Sequence, residues 1–271
     1  MNKTNSLGGP ARSHQFKASQ LKADADVRSQ GELLLRPGEA IDSLRQVHAT
    51  IRTQLPRGRI KVYEAGGGST SFLPFDVLSR SNVTVVDIDE AQLRNNAYAQ
   101  TRILGDIQTH RFAPSSFDLV TCYNVIEHLP DVAAALTGIF HSLKPGGLAV
   151  IAAPNPTSLS GVITKHTPHW FHIWYYRHVM GSKSAGLPGE APFPTIFHQL
   201  VKPASLVSFA RKHGVEVVYR KEYESPRYPE MRALTPALAA LLDGFATILN
   251  LMLPSGLDIR HGDYHLVLRK T

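Results

Sequence analysis

The chain has 271 residues, a formal net charge of +7, 43% hydrophobic and 19% charged residues, a balance that suits one large folded core and excludes a disordered chain. Its single cysteine, Cys122, excludes an intrachain disulfide and fits a reducing, cytoplasmic compartment. No run of 18 apolar residues occurs, so a membrane-spanning helix has no support.

Residues 1–30 are polar, lack the apolar stretch of a signal peptide, and read as a mobile arm. Pro37 opens a helix to about Leu55, with Ile41, Leu44, Val47 and Ile51 on one stripe. Strands follow at Ile60–Glu64 and Val83–Asp87, separated by a short helix over Phe72–Leu78 whose start Pro74 restricts. Glu90–Gln100 reads as a helix capped by Asp89, Ile103-Leu104 as a third strand and Phe117–Tyr123 as a fourth. Asp131 caps an alanine-rich helix that runs to Leu143 and is ended by Lys144-Pro145-Gly146-Gly147, before a fifth strand over Leu148–Ala153. Alternating strands and helices at this spacing predict an α/β, doubly wound, mostly parallel sheet.

Regularity then lapses. Residues 154–201 are rich in Pro, Gly, His and aromatics, too long for a plain connection and therefore functional in expectation. A helix over Pro203–His213 and a strand over Val215–Tyr219 follow. A second insertion, 225–258, carries an apolar helix at about Pro236–Leu253, and Gly262–Lys270 closes as a strand.

The most telling segment is Glu64-Ala65-Gly66-Gly67-Gly68 at the end of the first strand, answered by Asp87 at the end of the second. A strand, a glycine turn and an acid closing the next strand outline a nucleoside-cofactor site. Glycines let backbone approach a ligand where a Cβ would collide, and a carboxylate can accept from both ribose hydroxyls.

Four elements in order extend that outline: Glu64-Ala65-Gly66-Gly67-Gly68, Val86-Asp87-Ile88-Asp89, Gly105-Asp106 with Phe112–Asp118, and Phe117–Asp131 with Leu143–Gly147. Across about residues 59–153 the chain resembles the class I, Rossmann-like, S-adenosylmethionine-dependent methyltransferases. The resemblance implies a seven-stranded sheet whose last strand is antiparallel, with helical and aromatic insertions after strands five and six. Residues 31–271 are then one methyltransferase domain, with 59–153 its cofactor-binding core and 154–201 and 225–258 its acceptor cover. It implies that Asp87 takes the ribose and that Asp106 takes the adenine amine. Ile88 and Ile107 border the ring, and Gly66, Gly67 and Gly68 form the close-approach turn. Asn124 offers its backbone carbonyl to the amino-acid tail, and Glu64 organises the loop. Thr70 stands where many members carry a third spaced glycine.

Catalysis is less legible, because methyl transfer rests on orienting the acceptor and needs a base only when the acceptor must lose a proton. The candidates are His128, after strand four, and His169 and His172 in the aromatic stretch His166–His178; on a helix His169, His172 and Tyr176 share a face. No Asp, Glu or Cys joins those histidines nearby, so no metal is expected. Methyltransferases acting on base nitrogens carry an Asn/Asp-Pro-Pro-aromatic turn where this chain has Asn124-Val125-Ile126-Glu127. A nucleic-acid amine is thus disfavoured, and an oxygen of a small molecule (apolar, lipid-like or sugar-bearing) is the expected acceptor. Two rivals stand beside it: an RNA methyltransferase, favoured by basic flanks around a net acidic 61–153, and a non-enzymatic cofactor-binding regulator or assembly protein. The helix within 236–253 reads either as core or dimer packing or as peripheral lipid contact. Oligomeric state is not legible.

Overall fold

The computed structural model describes residues 38–187, 192–225, 227–252 and 259–271; the arm expected over residues 1–30 lies outside them. Strand residues alternate between two apolar layers. Val62, Leu119 and Val150 enter one layer, beneath helix α1 (Glu39–Gln54). Tyr63, Val120 and Ile151 enter the other, beneath α4 (Val132–Ser142) and α7 (Pro203–Lys212). Apolar side chains on both faces require cover on both faces, which is the condition for a buried parallel sheet.

The sheet has seven strands in the order β3-β2-β1-β4-β5-β7-β6. These are β1 (Ile60–Ala65), β2 (Ser81–Asp87), β3 (Thr101–Leu104), β4 (Phe117–Tyr123), β5 (Leu143–Pro154), β6 (Val215–Tyr223) and β7 (Asp263–Lys270). The first five pair in parallel, while β7 runs antiparallel to both β5 and β6. Sequence order reverses direction beside β1, so the carboxyl ends of β1 and β4 border the crevice where ligands of such sheets bind.

Several boundaries move for local reasons. Helix α2 (Phe75–Leu78) starts only after Pro74, which serves as its N-cap. Helix α3 (Glu90–Asn95) stops at Asn95, five residues short of expectation, because the Asn96 side chain turns back to accept from the N–H groups of Tyr98 and Ala99. The Lys144–Gly147 stretch, expected as a plain stop, lies inside β5 as an irregularity that breaks register opposite Phe117 and Leu119. β6 continues past Tyr219 to Tyr223 because its polar residues pair with β7.

The two insertions are helical. Residues 154–201 contain α5 (Leu159–His166) and α6 (His169–His178). The second contains α8 (Arg227–Leu234) and α9 (Pro236–Met252). Arg232 bridges Glu224 and Asp243 and so ties α8 to α9. No described helix is long and apolar enough to cross a membrane.

Candidate active site

At the end of β1 the chain reverses through Gly66 and Gly68, both left-handed at φ 69° and 52°, a conformation glycine adopts without strain. The Gly66 N–H donates to the Val86 carbonyl at 2.8 Å, which ties the turn to β2. Protein, and not only ligand, demands these glycines. A Cβ on Gly66 would stand 2.6 Å from a Val125 methyl, and one on Gly67 would stand 2.8 Å from the Glu64 Cβ.

Asp87 closes β2, half-buried. Its Oδ2 accepts from the Gly68 N–H at 2.9 Å and its Oδ1 from the Asp89 N–H at 2.8 Å. The two bonds fix the plane of the carboxylate beside the glycine turn, and each oxygen retains a lone pair. Asp89 caps α3 as its position predicts, accepting from Ala91 and Gln92. Beyond β3, Asp106 accepts from the backbone and side-chain nitrogens of Gln108. Gln108 in turn accepts from the Asp131 N–H at 2.7 Å, which joins this loop to the start of α4.

The two isoleucines part company. Ile88 is 76% exposed at the strand end, an apolar surface of the kind a purine ring covers, whereas Ile107 is 5% exposed and packs into the core. Asn124 follows β4 in the left-handed region at φ 52°, a conformation asparagine tolerates better than most residues.

Glu64 is buried and accepts from the Ser71 hydroxyl and from the Tyr98 hydroxyl, the latter at 2.5 Å. Burial pushes its carboxyl above the usual range, against the pull of those two donors. This arrangement makes Glu64 a brace beneath the glycine turn. Asn96 is a second brace: its Nδ2 donates to the Gly68 carbonyl at 2.7 Å from a fully buried position. Sequence reading missed Ser71, Asn96, Tyr98 and Gln108. The one available signal was a polar pair, Asn95-Asn96, where an amphipathic pattern ends.

The candidate bases are not brought together. His128 sits in a single-turn 3-10 helix (Ile126–His128) after β4, with Nδ1 2.7 Å from the Pro194 carbonyl. A carbonyl only accepts, so Nδ1 carries the proton and Nε2 keeps its lone pair. Burial lowers its pKa, which favours the neutral ring, and the Glu127 Oε1 lies 3.6 Å from Nε2. Ile196 and Phe197 donate their N–H groups to the Glu127 carbonyl, which straps the end of the first insertion to the same turn. His172 bonds Thr167 and faces His169 at 6.5 Å between rings, both within the insertion. No hydrogen bond among the described residues joins either to the strand ends. Helix α6 has no fully buried side chain. No grouping of metal-binding side chains occurs among the described residues.

A glycine turn, two carboxylates at successive strand ends and this strand order define a Rossmann-like cofactor domain of the class I methyltransferase type. Residues 64–151 match the family described as "Methyltransferase domain". This match, over about a third of the chain, and the relatives that follow support a class I methyltransferase with S-adenosylmethionine as its cofactor. It is 28% identical over 154 residues to the ubiquinone biosynthesis O-methyltransferase of Xanthomonas campestris pv. campestris, covering 53% of this chain and 63% of that one. The match thus spans less than two thirds of that relative's length. The protein of the same name from Xanthomonas euvesicatoria pv. vesicatoria is 26% identical over 222 residues, 76% of this chain and 84% of that one. Magnesium protoporphyrin IX methyltransferase from Synechocystis PCC 6803, solved with bound SAH, shares the fold at a TM-score of 0.51 and 13% identity, over 85% of this chain and 82% of that one.

Proposed function

We propose that this chain transfers a methyl group from S-adenosylmethionine to an oxygen of a small, hydroxylated, largely apolar molecule. The observation that carries the reading is the row of groups at the sheet's carboxyl edge: a left-handed glycine turn, Asp87 fixed beside it, exposed Ile88 and Asp106. Their chemistry fits the cofactor. A ribose diol and an adenine amine are donors that match the two carboxylates, and a purine face matches Ile88. Asp87 holds the ribose, Asp106 the amine, and the carbonyl of Asn124 together with the Gly66–Gly68 turn holds the amino-acid tail. When bound, the cofactor supplies a methyl carbon made electrophilic by its sulfonium.

Of the candidate bases, His128 is the one attached to the end of β4, with Nε2 available to accept a hydroxyl proton. A positive charge arriving on that ring has the Glu127 carboxyl beside it. Residues 154–201 and 225–258 serve as the acceptor-side cover of one domain over 31–271, and His169 and His172 shape that cover instead of moving the proton. The relatives' names support O-methylation and make hydroxylated compounds of ubiquinone biosynthesis the first acceptors to try. The test is release of S-adenosylhomocysteine from purified protein across a panel of phenols and aliphatic alcohols. Turnover with phenols supports the reading, and methylation confined to amines or to RNA refutes it.

A further inference from the structure

The chain has two tryptophans, Trp170 and Trp174, and both lie on α6. They are 67% and 47% exposed. One turn apart, they form a stripe that continues to the exposed Arg177. The preceding helix, α5, leaves Val162 and Ile163 exposed beside the exposed Lys165, and Lys183 is exposed beyond α6. Sequence supplies the complement to this pattern: no Asp or Glu occurs between Asp131 and Glu190. Exposed indoles, aliphatic side chains and cations with no acid among them are the composition that settles at an anionic bilayer surface.

A second apolar surface adjoins the first. The Leu159 N–H, at the start of α5, donates to the Ile259 carbonyl at 2.7 Å, and the Ile259 N–H donates to Asn250 of α9 at 3.0 Å. The last turns of α9, with Ile248, Leu251 and Met252 all more than half exposed, therefore meet α5 at Ile259. Helix α9 contains no Lys or Arg. The cations that attract a negatively charged surface belong to α5, α6 and the loop after them.

We propose that α5, α6 and the adjoining end of α9 form a docking surface for an anionic lipid bilayer, with Trp170 and Trp174 at the headgroup level and Lys165, Arg177 and Lys183 facing the phosphates. This surface is distinct from the strand-end groups assigned to the cofactor, and its occupation does not depend on which acceptor is methylated.

Because both tryptophans sit on α6, their emission reports that helix alone. The full chain is mixed with vesicles of phosphatidylcholine containing phosphatidylglycerol, and separately with phosphatidylcholine alone. The expected result is a blue shift and co-sedimentation with the anionic vesicles, weakened by salt. Lys165→Gln combined with Lys183→Gln should weaken that binding roughly tenfold or more, since each surface cation contributes about fivefold. Trp170→Ala should weaken it while leaving the thermal transition unchanged. Absence of binding by the folded chain overturns the proposal, as does equal binding to neutral vesicles. A shift caused by S-adenosylhomocysteine alone would instead make α6 a lid. A shift that grows with protein concentration without lipid would make it an interface between copies.

Discussion

Asn96 and Asp87 grip the same residue: Asn96 Nδ2 holds the Gly68 carbonyl at 2.7 Å, and Asp87 Oδ2 holds the Gly68 N–H at 2.9 Å. The turn after α3 thereby sets the position of the carboxylate assigned to the ribose. Asn96→Ala leaves a carbonyl without its buried partner, a loss of about 1–3 kcal/mol. We expect S-adenosylhomocysteine binding to weaken about tenfold in a calorimetric titration. In an Asp87→Ala background the same change should cost much less, because the two residues act through one link. Full additivity would show that Asn96 acts elsewhere.

Asp87→Ala itself removes a charged acceptor from two hydroxyls. Hydrogen bonds to charged groups contribute about 1.5–3 kcal/mol each, so affinity for the cofactor should fall at least tenfold. Unchanged affinity would place the ribose at another strand end.

Gly66→Ala combines a left-handed φ of 69° with a contact of 2.6 Å to Val125. The backbone term alone is about 1–2 kcal/mol. Val125→Ala should recover part of the lost stability by removing the methyl that collides. Chemical denaturation of the two single variants and the double variant measures the recovery.

His128→Asn should lower kcat by about 10²–10⁴-fold if an acceptor hydroxyl is deprotonated in the rate-limiting step, with cofactor affinity unchanged. His169→Ala and His172→Ala should alter KM before kcat. A neutral effect of His128→Asn on kcat would leave acceptor positioning as the whole of catalysis.

His265 predicts acid sensitivity. Its ring is buried between the Ser43 hydroxyl at 2.8 Å and the Tyr223 hydroxyl at 3.0 Å. Burial, with a smaller contribution from His48, lowers its pKa to about 4. The folded state thus prefers the neutral ring. The associated stability is complete above pH ~6.5, the unfolded value, and drains away as pH falls toward 4. A gap of that size corresponds to roughly 3 kcal/mol. Urea unfolding at pH 7 and pH 5 should show the loss, and His265→Gln should flatten it.

The strand ends and the glycine turn were legible because their signals are local. Glu64, Gly66, Asp87 and Asp106 each lie at or just past a strand end, so hydrophobic runs and punctuation are enough to find them. The braces were not legible. Asn96 reaches Gly68 across 28 positions of chain and Tyr98 reaches Glu64 across 34, and nothing in the composition of a helix end announces such partners. The exposure of α6 was not legible either, since burial is a property of neighbours and Trp170 is 67% exposed.

The register of β6 with β7 pairs Tyr223 directly with Asp263. Everything from 224 to 262 therefore departs from and returns to neighbouring points on one rim. An excursion anchored in this way can lengthen, shrink or be exchanged with only a slow entropic penalty, leaving the scaffold that grips the nucleoside untouched. Under the proposed function, chimaeras exchanging that span between relatives should keep cofactor affinity while changing acceptor choice.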